Sequence, residues 1–140
     1  MKWKFILDAG VFGISATCLY LWGPWDGAFI TLLICMAVDF ITGLILAGVF
    51  KKSKKSKSGG LDSFAGWKGL ARKGITLLIV LIANRLDVVL NVVYIRDAVI
   101  ISFIVNECLS IIENAGVMGV PIPEVIKKAI DVLKNEEVKK

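Results

Sequence analysis

Apolar residues run along this chain in four long blocks separated by short polar breaks. The first, Phe5 to Trp22, is preceded by Lys2 and Lys4 and interrupted by Asp8; the second, Ala28 to Phe50, is broken only by Asp39. The third runs from Gly74 to about Ile95, and the fourth from Asp97 to about Asn114. As helices rising about 1.5 Å per residue, blocks of this length approach the roughly 30 Å hydrocarbon core of a bilayer. Gly23-Pro24-Trp25-Asp26-Gly27 reads as a tight turn, and Arg96-Asp97 as a short one. Lys51 to Gly60 is a Lys/Ser/Gly loop, and Leu61 to Gly69, with Phe64 and Trp67, has the mixed polarity of a segment lying on a membrane surface. After Gly116 and Gly119, Val120-Pro121-Ile122-Pro123 cannot continue a helix. Glu124 to Glu137 then places Val125, Ile126, Ile130 and Leu133 at helical spacing opposite lysines, the pattern of an amphipathic helix. The pattern predicts an all-α integral membrane protein, one domain over residues 1–140, with four transmembrane helices (5–22, 28–50, 74–95 and 97–114), a basic loop at 51–73 and a tail helix at 124–137.

Polar residues inside these blocks fall in stripes. Thr31, Cys35, Asp39 and Thr42 share a face of the second helix, and Asn84, Asp87 and Asn91 a face of the third. Ser102, Asn106, Ser110 and Glu113 do the same in the fourth, with Glu107 and Asn114 beside them. A charged group at mid-membrane costs about 2.5 to 3.5 kcal/mol on insertion scales, so such residues face a protein interior or water and mark a functional site. Arg85 is the one cation counted within the blocks, against Asp39, Asp87, Glu107 and Glu113. Counted from the ends nearest the basic loop, Asp39 and Arg85 lie at a similar depth of roughly 17 to 18 Å, which predicts an ion pair between them. The surplus of acids predicts a polar lumen shared between copies, and Gly43 and Ala47 form a small-x-x-x-small pair suited to close helix contact.

The chain has 56% hydrophobic residues and a mean hydropathy of +0.75, too apolar for an ordinary soluble domain. Histidine is absent, and Cys18, Cys35 and Cys108 lie apart within apolar runs, so neither a metal site nor a disulfide framework is expected. No nucleophile–base pair or phosphate-cradling loop is present; Gly66-Trp67-Lys68-Gly69 lacks the spacing and the Ser/Thr of a P-loop. No enzyme activity and no cofactor are expected.

The net charge of +5 is concentrated in Lys51, Lys52, Lys54, Lys55, Lys57, Lys68, Arg72 and Lys73, and in the tail at Lys127, Lys128, Lys134, Lys139 and Lys140. Nucleic-acid binding is disfavoured, since these charges are explained more simply by the positive-inside rule. With the loop in the cytoplasm, both termini lie there too, and Arg96 alone among basic residues falls in the outer turns. A basic start before an apolar run also fits a cleaved signal peptide, but Asp8 and the lack of a small-x-small site favour a retained helix.

Several motifs in order resemble the toxin-secretion/phage-lysis holin family of bacteriophages. They are Met36-x-x-Asp39-x-x-Thr42-Gly43, the lysine-rich loop, Arg72-Lys73-Gly74, and Asp87. The strongest is Asn106-Glu107-x-x-Ser110-Ile111-Ile112-Glu113-Asn114, followed by Gly119-Val120-Pro121-Ile122-Pro123. The resemblance covers about residues 27 to 135 and leaves out the first block. It implies a protein that accumulates in the host cytoplasmic membrane and homo-oligomerises into lesions through which an endolysin, or in relatives a toxin, escapes. The partners implied are membrane lipids, further copies of the chain, an endolysin that passes without stable binding, and an antiholin. A small ion-channel or transporter subunit and a non-conducting antiholin scaffold are the alternatives; an enclosed path would select ions, whereas a lesion would pass whole proteins.

Overall fold

A computed structural model describes residues 2–138 and, among them, five α-helices and no strand. These are α1 (Lys2–Trp22), α2 (Gly27–Gly48), α3 (Ser63–Leu90), α4 (Ile95–Val117) and α5 (Glu124–Val138). Lys139 and Lys140 of the basic tail lie outside the described residues, as does the side chain of Lys134.

Local chemistry sets the helix ends. Asp26 caps α2, its carboxylate accepting from the Phe29 amide at 2.9 Å, and Asp62 caps α3 by accepting from Phe64 at 2.9 Å. α3 ends at Asn91, which takes the left-handed conformation (φ 53°, ψ 46°) that asparagine tolerates better than most residues. Gly23 turns the chain between α1 and α2 at φ +77°, and a Cβ there would come within 2.6 Å of Asn84 Oδ1, so this position needs glycine twice over. Gly119 and the two prolines separate α4 from α5.

α4 is the centre of the molecule. It packs chiefly on α2, then on α3 and α5, whereas α1 packs chiefly on α3. α2 and α4 run in the same direction: Asp26 meets Arg96 at one end and Thr42 meets Asn114 towards the other. The core between α2, α3 and α4 is Phe29, Leu32, Met36, Val80, Ile100 and Ile104. α1 buries no residue, and α2 and α3 turn outward a wide apolar surface that includes Ile30, Ile34, Ile41, Ile75, Leu78 and Ile82. Two helices, α1 and α2, are long and apolar enough to cross a membrane; α3 and α4 do not meet the same test of length and composition.

The third helix differs from expectation in both position and length. Leu61 to Gly69 is not a separate surface segment: from Ser63 onward it is continuous with the helix, which therefore starts eleven residues before Gly74. At its other end the turn is 91–94, and Arg96 and Asp97 belong to the first turn of α4. The Asp62 cap and the absence of any breaker stronger than isolated glycines explain the early start; Gly66, Gly69 and Gly74 weaken a helix by only about 1 kcal/mol each. The fourth helix continues past Asn114 to Val117, and the second stops at Gly48.

Candidate functional site: a lysine-bridged polar cluster

The polar stripes of α2 and α4 meet, and the cation that joins them is Lys73. Its ammonium donates to Asp39 Oδ2 at 2.9 Å and to Glu107 Oε2, tying α3 to both neighbouring helices. All three side chains are largely hidden, with exposures of 13, 8 and 14%. Asn114 extends the cluster: its amide donates to Thr42 Oγ1 at 3.1 Å and, more weakly, to Asp39 Oδ1 at 3.4 Å. The Thr42 hydroxyl in turn donates to the Asp39 carbonyl at 3.0 Å. No buried side-chain nitrogen or oxygen among the described residues lacks a hydrogen-bond partner. A group this satisfied lowers the cost of burying charge, because each ion is both paired and hydrogen-bonded.

Arg85 does not pair with Asp39. Its guanidinium lies over the Tyr20 ring, 4.6 Å from the centroid, on the side of α3 that meets α1. The early start of α3 accounts for the exchange. Asp39, Lys73 and Glu107 each stand nine to ten residues from the loop-side end of their helices, about 14 to 15 Å. Lys73, expected to stand at the mouth of its helix, therefore lies at the depth of the acids. It also shares a helix face with the third stripe: Lys73, Val80, Asn84 and Asp87 follow at steps of seven, four and three, a pattern visible in sequence once the helix is extended backward.

The remaining stripe residues of α3 work at the opposite end of the bundle. Asp87 is buried and accepts from the backbone amides of Ile95 at 2.9 Å and Arg96 at 3.0 Å, so it caps α4 in place of a side chain from Tyr94. Asn84 donates to the Leu21 carbonyl at 3.0 Å, and Trp22 Nε1 to the Leu77 carbonyl at 2.8 Å, fastening α1 to α3. Asn91 is the exposed terminus of α3.

Arg96, expected only in an outer turn, is a second paired cation and is buried, at 4% exposure. It donates to the carbonyls of Trp22 and Pro24, and to the carboxylates of Asp26 at 2.8 Å and Asp97 at 3.1 Å. It thereby locks the α1–α2 turn onto the start of α4. The Arg96 hydrogen bond holds the Asp26 carboxyl below the usual carboxylate range, against the opposing effect of partial burial.

Not every stripe residue joins a cluster. Asn106 and Glu113 are exposed on α4 and take no side-chain partner among the described residues, and Ser110 is half-buried beside a pocket near the loop. Gly43 and Ala47 turn toward their own chain: a Cβ on Gly43 would lie 4.0 Å from Asn114 Nδ2, and Ala47 is buried. Lys51, Lys52, Lys54, Lys55, Lys57 and Arg72 are exposed. The Cys35 and Cys108 thiols face each other at 4.0 Å across the α2–α4 contact, and no group of metal-binding side chains occurs among the described residues.

The architecture is that of a small helical bundle with an apolar exterior and charged residues paired within it. The sequence profile of the bacteriophage holin family matches residues 16–135, and the chain belongs to that family. It is 34% identical to a protein of Bacillus phage phi105 described as a probable holin, over 78% of this chain and 76% of the relative. It is also 37% identical to an uncharacterized protein of Halalkalibacterium halodurans, covering 90% of this chain and 92% of the relative. An uncharacterized protein of Listeria monocytogenes is 39% identical over 89% of this chain and 84% of its own length. No solved structure matches.

Proposed function

We propose that this chain is a holin. It inserts into the bacterial cytoplasmic membrane with four spans formed by α1, α2, α3 and α4, accumulates there, and homo-oligomerises into lesions that let an endolysin reach the wall. The observation that carries this reading is the family match over residues 16–135. Two features of the molecule support it. α1, α2 and α3 each turn a large apolar surface outward, as lipid contact requires, interrupted by Asp8 on α1 and by Lys68 and Arg72 in the first turns of α3. The exposed lysines gather at one end of the bundle, between α2 and α3, while the other end offers Arg96 already neutralised by Asp26 and Asp97. That asymmetry favours a cytoplasmic loop and cytoplasmic termini.

A single bundle filled by Leu32, Val80 and Ile100 has no room for a folded enzyme, so passage of an endolysin needs many copies around a common opening. The polar groups free to line it are those the protomer does not use itself, Asn106 and Glu113 on α4. The Lys73 cluster has a different task, which is to carry Asp39 and Glu107 through insertion as a paired unit. Expression together with a cytoplasmic endolysin should give abrupt loss of culture turbidity after a delay, and expression alone should collapse the membrane potential. Cells that keep both, with the protein present in the membrane fraction, would overturn the assignment. Ion-selective conductance without enzyme release would point instead to a channel subunit, and delayed lysis by a known holin to an antiholin.

A further inference from the structure

At the lysine-loop end of the bundle a pocket of about 150 Å³ opens between the last turns of α2, the first turns of α3 and the end of α4. Its wall is apolar, with Phe40, Leu44 and Leu46 from α2 and Leu61 from the loop. Lys54 and Lys55 stand on its rim and form no ion pair among the described residues. Gly66 and Gly69 present α3 to it without side chains, and a Cβ added at either would meet nothing within 4 Å. Two carboxylates also reach the rim: Asp62, which spends one oxygen capping α3, and Glu113. They are outnumbered once the exposed Lys51, Lys52 and Lys57 of the same loop are included. Beside the pocket, Phe64 and Trp67 project from the first turns of α3 at 77 and 72% exposure, side chains suited to the level of lipid headgroups.

We propose that this pocket binds one anionic phospholipid from the leaflet that the lysine loop faces. The phosphate sits against the Lys54 and Lys55 ammonium groups, and the first methylenes of an acyl chain follow the Phe40–Leu44 wall. The volume, about five water molecules' worth, fits that part of a lipid and leaves the rest in the bilayer. A soluble phosphate would use the lysines but leave the apolar wall unexplained. Clustered lysines at a membrane surface attract anionic lipid by an amount equivalent to about fivefold in affinity for each charge. The inference rests on the membrane reading above.

The test uses the full chain and two vesicle compositions, phosphatidylcholine alone and phosphatidylcholine doped with phosphatidylglycerol. Flotation with both tests the membrane reading; failure to float with either sinks that reading and the pocket together. After extraction from the doped vesicles, co-purifying lipid is counted by native mass spectrometry. Phosphatidylglycerol should be retained over phosphatidylcholine, and Lys54→Gln/Lys55→Gln should lower that retention about thirtyfold. Gly69→Leu, which fills the pocket without changing charge, should also expel the lipid. Lys51→Gln/Lys52→Gln removes as much charge outside the pocket and should have a smaller effect. Equal losses for the two lysine pairs, or full retention in Gly69→Leu with its helical content unchanged, would overturn the pocket in favour of diffuse charge attraction. Displacement by soluble glycerol phosphate would identify an anion site rather than a lipid site.

Discussion

Replacing Lys73 by methionine removes the one cation shared by Asp39 and Glu107 while keeping the length of the side chain. The two hydrogen bonds lost are charge-assisted, each worth about 1.5 to 3 kcal/mol, which gives roughly 3 to 6 kcal/mol for the pair. Breaking buried ion pairs by removing one partner costs about 3 to 5 kcal/mol, and the low exposure of all three groups places this cluster in that class. Against a total stability of about 5 to 15 kcal/mol, such a loss is a large fraction of what holds the fold together. The triple variant Lys73→Met/Asp39→Asn/Glu107→Gln removes both stranded charges and keeps an amide beside Asn114 and Thr42. It should return to within about 1 to 2 kcal/mol of the parent, because a neutral polar cluster has no unpaired ion to desolvate. Unfolding by dodecyl sulfate in mixed micelles, followed by Trp fluorescence, measures both; Trp22 is hydrogen-bonded to Leu77, one turn from Lys73, and reports on that helix. A single variant within about 1 kcal/mol of the parent, or a triple variant as unstable as the single, would refute the reasoning. The first result would mean that Lys73 reaches toward water instead of bridging the acids, and the second that the loss does not come from the stranded charges.

Two further outcomes follow from the outer end of the bundle and from α4. The Arg96 hydrogen bond lowers the folded-state pKa of Asp26, so its contribution is complete above the unfolded-state value of about 3.9 and is lost as pH falls through the lower folded-state value. The stability difference between the parent and Asp26→Asn should therefore be constant from pH 7 to pH 5 and close only in stronger acid; a difference that already closes by pH 5 contradicts the pairing. Cysteines introduced at Asn106 and Glu113 in a background lacking Cys18, Cys35 and Cys108 should cross-link between copies into ladders beyond dimers in membranes, with stability changed by no more than about 0.5 kcal/mol. Cysteine at Gly43 should not, since that face is covered by Asn114 of its own chain, and ladders from Gly43 alone would reverse the assignment of the interface.

The helical class and the separation into five segments were legible because apolar block length and the Gly/Pro breaks act locally. The turn at Gly23 and the stop before Glu124 are written in residue types that permit little else. The start of α3 was not legible in the same way. Leu61 to Gly69 mixes glycine, lysine and aromatics, so its periodicity is weak, and what makes it helical is the Asp62 cap together with continuation of the helix beyond it. That one boundary carried the pairing with it, since moving the start by three turns brings Lys73 to the depth of Asp39 and withdraws Arg85 toward Tyr20. Arg96 was hidden for a related reason: three of its partners, Trp22, Pro24 and Asp26, lie in or beside a turn 70 to 74 positions away in sequence, and no local pattern announces a contact at that separation.

This changes what the acids imply. An excess of carboxylates over one arginine argues for water only if those carboxylates are unpaired, and three of the four are not. Asp39 and Glu107 share Lys73, and Asp87 is neutralised in effect by two backbone amides at the positive end of α4. Glu113 is left, on the exposed face of α4 with Asn106 two turns earlier. Of these four carboxylates, the one without a side-chain partner among the described residues thus lies on one face of the central helix. α2 covers another face of that helix, α3 a third, and α5 packs near its end through Ile130. On the proposed membrane reading, a second copy or water held between copies completes the remaining face around Asn106, and Glu113, one turn from the end of α4 and beside the lysine-loop pocket, also reaches the headgroup level.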